Sequence, residues 1–169
     1  MGGPCRLRAD HADEQQVFEA FDAAEAEVRR LEARYSRYRD DSLTARINNS
    51  AGTGEFVPVD DETSGLLDYA DTLWQQSEGL FDLTAGVLRH AWDFRSGKVP
   101  TQASIDALLP LVSWQNVQRR DGAVSLSLPG MELDFGGMVK EYACDAAAAA
   151  LKRHGLDHAL VDLAGDMAC

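Results

Sequence analysis

The 169-residue sequence predicts an α+β domain, a mixed sheet with packed helices, and three observations point there. A stretch of helical period lies near the N-terminus. Asp121-Gly122 sits between two short apolar-polar runs. An acid-bearing apolar run, Leu133-Asp134-Phe135, stops at Gly136-Gly137 before a long Ala-rich segment. Strand-period and helix-period segments that are grouped rather than regularly alternating are the mark of this class. With 45% hydrophobic residues the chain can build a core, and its length suits one domain over residues 1–169.

Residues 4–9 are expected to form a first short strand. From Ala12 the period changes: Val17, Phe21, Ala24, Val28, Leu31 and Tyr35 recur at spacings of four and three, with acids and arginines on the other faces. This predicts an amphipathic helix of about 20 residues packed on the core. Tyr35 to Ser42 is polar apart from Tyr35 and Tyr38, and Ile47 to Gly54 is rich in turn formers, which together predict a long loop. Phe56-Val57-Pro58-Val59 reads as a brief edge strand, because proline cannot donate to a central ladder. Asp60 is the expected N-cap of a second helix with apolar positions Leu66, Leu67, Ala70, Leu73 and Trp74, ending before Gly79.

Residues 87–94 predict a short helical turn and 95–100 a loop, after which Thr101 or Ser104 opens a small helix ending near Pro110. Residues 116–120 and 123–128 form a hairpin around Asp121-Gly122, a pair suited to positive φ angles. Pro129-Gly130 turns the chain into residues 131–135, the third strand of an antiparallel element. The helix after Gly137 runs to about His154 with Gly155 as its stop, followed by a strand at 158–163 and a turn at 164–169. Strand, helix and strand across 131–163 make a βαβ unit, expected to join two parallel strands through a right-handed crossover.

Net charge is −12, from 28 acids against 16 bases, so no basic surface stands ready for a nucleic acid or an anionic membrane. The three cysteines, Cys5, Cys144 and Cys169, are widely spaced and suggest neither a disulfide framework nor a zinc site. No apolar run approaches the ~18 residues of a membrane span, and the N-terminus lacks a signal-peptide core. Gly2 is not a myristoylation site because Arg6 stands where Ser or Thr is required. Asn48-Asn49-Ser50 matches a glycosylation acceptor, which means little without a secretory signal.

The chemistry concentrates in a few places. A helix reached through glycines offers unpaired N–H groups to a phosphate or carboxylate, although many strand-to-helix turns of this shape bind nothing. Lys140, one turn in, either reaches a phosphate there or extends into water. In Gly79 to Gly86, Asp82 and Thr84 interrupt an apolar run, so Asp82 is either an acceptor of backbone N–H bonds or a ligand-binding carboxylate. Tyr38 either covers the helix end or stacks on a flat ligand. His154 and His158 are separated by Gly155 and do not form a helical metal pair. An acid at a strand end, a Gly-Gly helix start, a lysine, a Phe-Asp loop and a tyrosine loop are the parts expected of a site for a flat aromatic attached to a phosphate chain.

Along its whole length and in order, the chain resembles the ApbE family of FAD:protein FMN transferases. Met1-Gly2-Gly3-Pro4-Cys5 is similar to the family's Met-Gly-Thr-Pro-Cys, and Tyr35-Ser36-Arg37-Tyr38 through Asp41-Ser42 to its Tyr-Ser-x-Tyr-x-x-Asp-Ser. Gly79-Leu80-Phe81-Asp82-Leu83-Thr84-Ala85-Gly86 resembles Gly-x-Phe-Asp-x-Thr-x-Gly, with Trp92 and Phe94 following. Leu133-Asp134-Phe135-Gly136-Gly137, with Lys140, Tyr142, Ala143 and Asp145, is similar to Leu-Asp-Leu-Gly-Gly-x-x-Lys-Gly-Tyr-Ala-x-Asp. Val161-Asp162-Leu163-Ala164-Gly165-Asp166 resembles Val-Asn-Leu-Gly-Gly-Asp.

The resemblance implies an ApbE-like fold and FAD contacts at Met1, Tyr38, Leu80, Phe81, Asp82, Asp134 and Lys140, with Gly137 contacting a metal through its carbonyl. It implies Mg²⁺-dependent transfer of FMN from FAD to a threonine of a target flavoprotein with release of AMP; some members hydrolyse FAD instead. Glu141 departs from the family glycine and adds a negative charge beside the phosphate site. The sequence ends a little beyond half of a typical member, short of the family's Thr-Ser-Gly segment and its aspartate and threonine metal ligands. The usual leader or lipoprotein anchor, which places many members in the periplasm or on the inner membrane, is also missing ahead of Met1. The expectation is therefore an N-terminal fragment of a flavin transferase, with a non-catalytic flavin-binding module as the alternative.

Overall fold

The computed structural model describes residues 3–11, 13–92 and 96–169. The chain divides into two compact units, one made of residues 1–42 with 135–169 and the other of residues 43–134. Among the described residues no helix is long and apolar enough to cross a membrane.

In the first unit, β1 (Cys5–Ala9) leads to α1 (Glu14–Tyr35), and α5 (Val139–Arg153) leads to β5 (Ala159–Leu163) and β6 (Asp166–Ala168). The expected helix start at Ala12 lies outside the described residues; Asp13 caps α1 by accepting from the Gln16 N–H. Ala20 and Ala24 of α1 and Ala143, Ala147 and Ala150 of α5 are buried, and the two helices pack together. Small side chains at helical spacing let the backbones approach, which is why the Ala-rich tract is helical and inward. Gln16 Nε2 also donates to the His154 carbonyl at 2.7 Å, satisfying one group at the end of α5. Gly155 takes φ +81° just past that end, as a helix stop requires.

The sheet of this unit has the order β1-β5-β6 and is antiparallel throughout. This corrects the expected parallel βαβ unit. Residues 131–134 are not a strand of this sheet, and β5 pairs with β1 and with β6, which the expected terminal turn had concealed. Ala164-Gly165 makes a tight hairpin instead, both residues at positive φ, +57° and +106°.

In the second unit, α2 (Leu43–Asn49), β2 (Val57–Pro58), α3 (Asp61–Gln76), α4 (Gln102–Asp106), β3 (Val117–Arg120) and β4 (Ala123–Leu126) appear in order. Three expectations hold: β2 is an edge strand in the order β2-β4-β3, Asp60 caps α3, and Thr101 caps α4. The long loop does not hold, because Leu43, Thr44 and Ile47 share a buried face and close α2. Only Gly122 of the hairpin pair takes positive φ, +64°. The expected third strand at 131–135 is replaced by an extended segment with one isolated parallel bridge, Ala85 to Glu132, and then a 3-10 turn at Phe135–Gly137.

Candidate functional site

The second unit holds the Phe-Asp loop and the segment ending in Asp134, and it brings them together. Ser77, at the end of α3, accepts the Phe81 N–H at 2.8 Å. Asp82 then turns its carboxylate inward: Oδ1 accepts from the Thr84 N–H at 2.8 Å and the Thr84 hydroxyl at 2.6 Å, and Oδ2 accepts from the Trp114 N–H at 3.0 Å. Thr84, fully buried, accepts in turn from the Ser113 N–H at 2.7 Å. Trp114 Nε1 donates to Asp71 at 2.7 Å, tying the network to α3. Of the two readings left open for Asp82, its acceptor role in organising backbone N–H groups is the one on view. Leu80 beside it is 92% exposed, and Phe81 is half-buried.

Residues 132–134 lie against this loop. Asp134 donates its N–H to the Leu83 carbonyl at 2.9 Å, and Asn48 uses its side-chain amide as a ladder rung, accepting from Leu133 N–H at 2.8 Å and donating to its carbonyl at 3.1 Å. An extended chain with one backbone neighbour has polar groups left over, and a carboxamide is the side chain that can both give and take. The approach is close enough that a Cβ on Gly86 would meet the Asp134 Cβ at 2.8 Å. That contact explains why the Gly-x-Phe-Asp-x-Thr-x-Gly pattern ends in glycine: the requirement is space, not φ.

Nearby, Glu132 receives Arg89 in a two-pronged pair, 2.7 Å from Nε and 3.1 Å from Nη2, and His90 Nε2 at 2.8 Å. Burial alone would raise the Glu132 carboxyl, but the bonds from Arg89 and His90 and their charge outweigh it and hold the pKa below the usual carboxylate range. Nothing in the sequence pattern paired these residues, because they stand about 43 positions apart.

The first unit carries Tyr38, Gly137 and Lys140. Tyr38 is 79% exposed, with the Arg37 guanidinium 5.0 Å from its ring centroid and donating to its hydroxyl at 2.8 Å. Gly137 is exposed at the end of the 3-10 turn, and Lys140 pairs with Asp166 at 2.9 Å. Glu141 is exposed on the first turn of α5. Asp162 Oδ1 accepts from the Gly165 N–H at 2.9 Å, fixing the hairpin before Asp166. Cys144 is buried, which pushes its thiol pKa up, and its Sγ lies 3.2 Å from the Asp166 carbonyl. Met1 and Phe94 lie outside the described residues.

Among the described residues no group of three or more His, Cys, Asp or Glu side chains is gathered as a metal shell. Gly137 contributes at most one backbone carbonyl, whereas Mg²⁺ takes about six oxygens in octahedral array. The residues on view therefore do not by themselves fit the ion.

The family model described as "ApbE family" matches residues 1–169. The protein named FAD:protein FMN transferase of Treponema pallidum is 30% identical over 177 residues, covering 99% of this chain and 49% of that relative. Its namesake in Klebsiella pneumoniae is 30% identical over 171 residues, covering 99% of this chain and 52% of the relative. The chain thus spans about half the length of these curated relatives. The apo crystal structure of the Pseudomonas stutzeri flavinyl transferase ApbE superposes with a TM-score of 0.84 at 27% identity, covering 98% of this chain and 56% of the other. The flavin transferase ApbE of Vibrio cholerae, at 24% identity and a TM-score of 0.83, shares the fold.

Proposed function

The chain belongs to the ApbE family, and from that premise we propose that it carries part of the flavin site of an FAD:protein FMN transferase, with residues 1–169 forming part of one family domain. In this reading Met1, Tyr38, Leu80, Phe81, Asp82, Asp134 and Lys140 contact FAD. The observation that carries it is the joining of the Phe-Asp loop to the Asp134 segment. Two stretches that resemble family motifs, 47 positions apart at Gly86 and Leu133, are held together by the Asp134 N–H to Leu83 bond and the Gly86 contact.

The chemistry is phosphoryl transfer. A threonine oxygen of a target flavoprotein bonds to the FMN phosphorus as the pyrophosphate bond breaks, AMP leaves and the hydroxyl proton passes to solvent. Most of the catalysis in such a step is positioning and charge stabilisation. Asp82 shapes a loop whose exposed Leu80 offers apolar surface to a ring system, Tyr38 offers an aromatic face, and Lys140 brings a cation toward phosphate oxygens once it exchanges Asp166 for them. Mg²⁺ belongs to the proposed reaction through the family resemblance, and Gly137 is its proposed contact.

Incubation of the chain with FAD, Mg²⁺ and a threonine-bearing target, followed by intact-mass analysis of the target, tests the proposal. A target heavier by one FMN supports it. FAD consumed with an unmodified target indicates hydrolysis, flavin retained without turnover indicates a binding module, and no retention of flavin contradicts the flavin-site reading altogether.

A further inference from the structure

Three groups outside the motifs act on the segment that carries Asp134. Glu132 lies two residues before it, its side chain 17% exposed, with Arg89 and His90 closing on its carboxylate from the 3-10 turn Gly86–His90. The same two stretches are already joined by the Ala85–Glu132 bridge and the Asp134 N–H to Leu83 bond, and they lie so close that a Cβ on Gly86 would meet the Asp134 Cβ at 2.8 Å. The backbone bonds fix the distance between the stretches. The charged clamp fixes their sliding register, because a fork-shaped guanidinium bound at two atoms tolerates little displacement of the carboxylate. A shift of residues 132–134 along the turn would break the clamp and move Asp134 from its place over Gly86.

We propose that Glu132, clamped by Arg89 and His90, is a positioning residue that sets the register of Asp134 for flavin binding. The inference rests on the reading above that Asp134 contacts FAD.

A double-mutant cycle tests it, using equilibrium FAD binding to the whole chain with circular dichroism to verify folding. Coupled neighbours exchange interaction energies equivalent to about 2-fold to 100-fold in affinity, so Glu132→Ala is expected to weaken FAD binding about tenfold. Glu132→Gln, which still accepts from Arg89, recovers part of the loss. In the Asp134→Asn background, Glu132→Ala has little further effect, below about twofold, because the group it positions no longer carries its charge. An equal loss in both backgrounds, which a merely structural role would give, overturns the inference, as does full affinity in Glu132→Ala. Absence of FAD binding by the unsubstituted chain overturns the site reading and this inference with it.

Discussion

The Asp82 loop and the Tyr38 loop are both implied flavin contacts, yet they are built in opposite ways. Asp82 spends its carboxylate on Thr84 and Trp114 and sits in a network that reaches Ser113 and, through the Trp114 indole, Asp71. Tyr38 stands in solvent with one arginine against it. The first kind of residue belongs to the fold as much as to the ligand, so its shape exists before flavin arrives. The second adds little to the fold, so under the proposed reading its order would come from the ligand. Stability and affinity should therefore fall together in one loop and separate in the other.

Substitutions that break this contrast come in order of size. Asp82→Ala removes a side-chain acceptor and strands the Trp114 N–H and the Thr84 hydroxyl; it should lower unfolding free energy by about 3 kcal/mol in a urea titration, with flavin affinity lost alongside. Gly86→Ala must push the Asp134 segment away, at about 2 kcal/mol by the same titration, the usual cost of overpacking. Ala164→Gly should raise stability by about 1 kcal/mol, since φ +57° is strained for alanine and the resembled pattern has glycine there. Tyr38→Ala should change stability by no more than about 0.5 kcal/mol while weakening FAD retention, which would separate the two properties cleanly.

The Glu132 clamp sharpens the contrast with pH. Its carboxyl is held low when folded, so it binds a proton more readily when unfolded. Its contribution is fully present above the ordinary carboxylate pKa and is lost as pH falls through the folded value. In acid urea titrations the unsubstituted chain should lose more stability than Glu132→Gln across that window. Parallel losses would remove the clamp from the account.

Much of this was legible in the sequence, and the failures share a cause. The caps at Asp60 and Thr101, the stop at Gly155 and the apolar stripe of α1 are local signals, and local hydrogen bonds realise them. Residues 131–134 carry the pattern of a strand, but what satisfies them is an Asn48 side chain 85 positions away and a loop carbonyl, which periodicity does not encode. The helix that precedes β5 in sequence predicts a parallel crossover, whereas its partner, β1, lies antiparallel at the other end of the chain. α2 was hidden by Asn48 and Asn49, turn formers by composition that serve here as a helix end and a ladder substitute. For the proposed site, the motifs point to Asp82 and Asp134 but not to the Thr84–Ser113 bond or the Arg89–Glu132 clamp.

Amide hydrogen exchange with and without FAD tests the central contrast most directly. The N–H groups of Thr84, Trp114 and Asp134 should be protected without flavin and change little when it is added, whereas the Tyr38 N–H, held by an exposed hydrogen bond to the Ser36 hydroxyl at 3.2 Å, should exchange faster than these three and gain protection on binding. Unprotected Thr84, Trp114 and Asp134 amides in the flavin-free chain would contradict a loop that is built before its ligand.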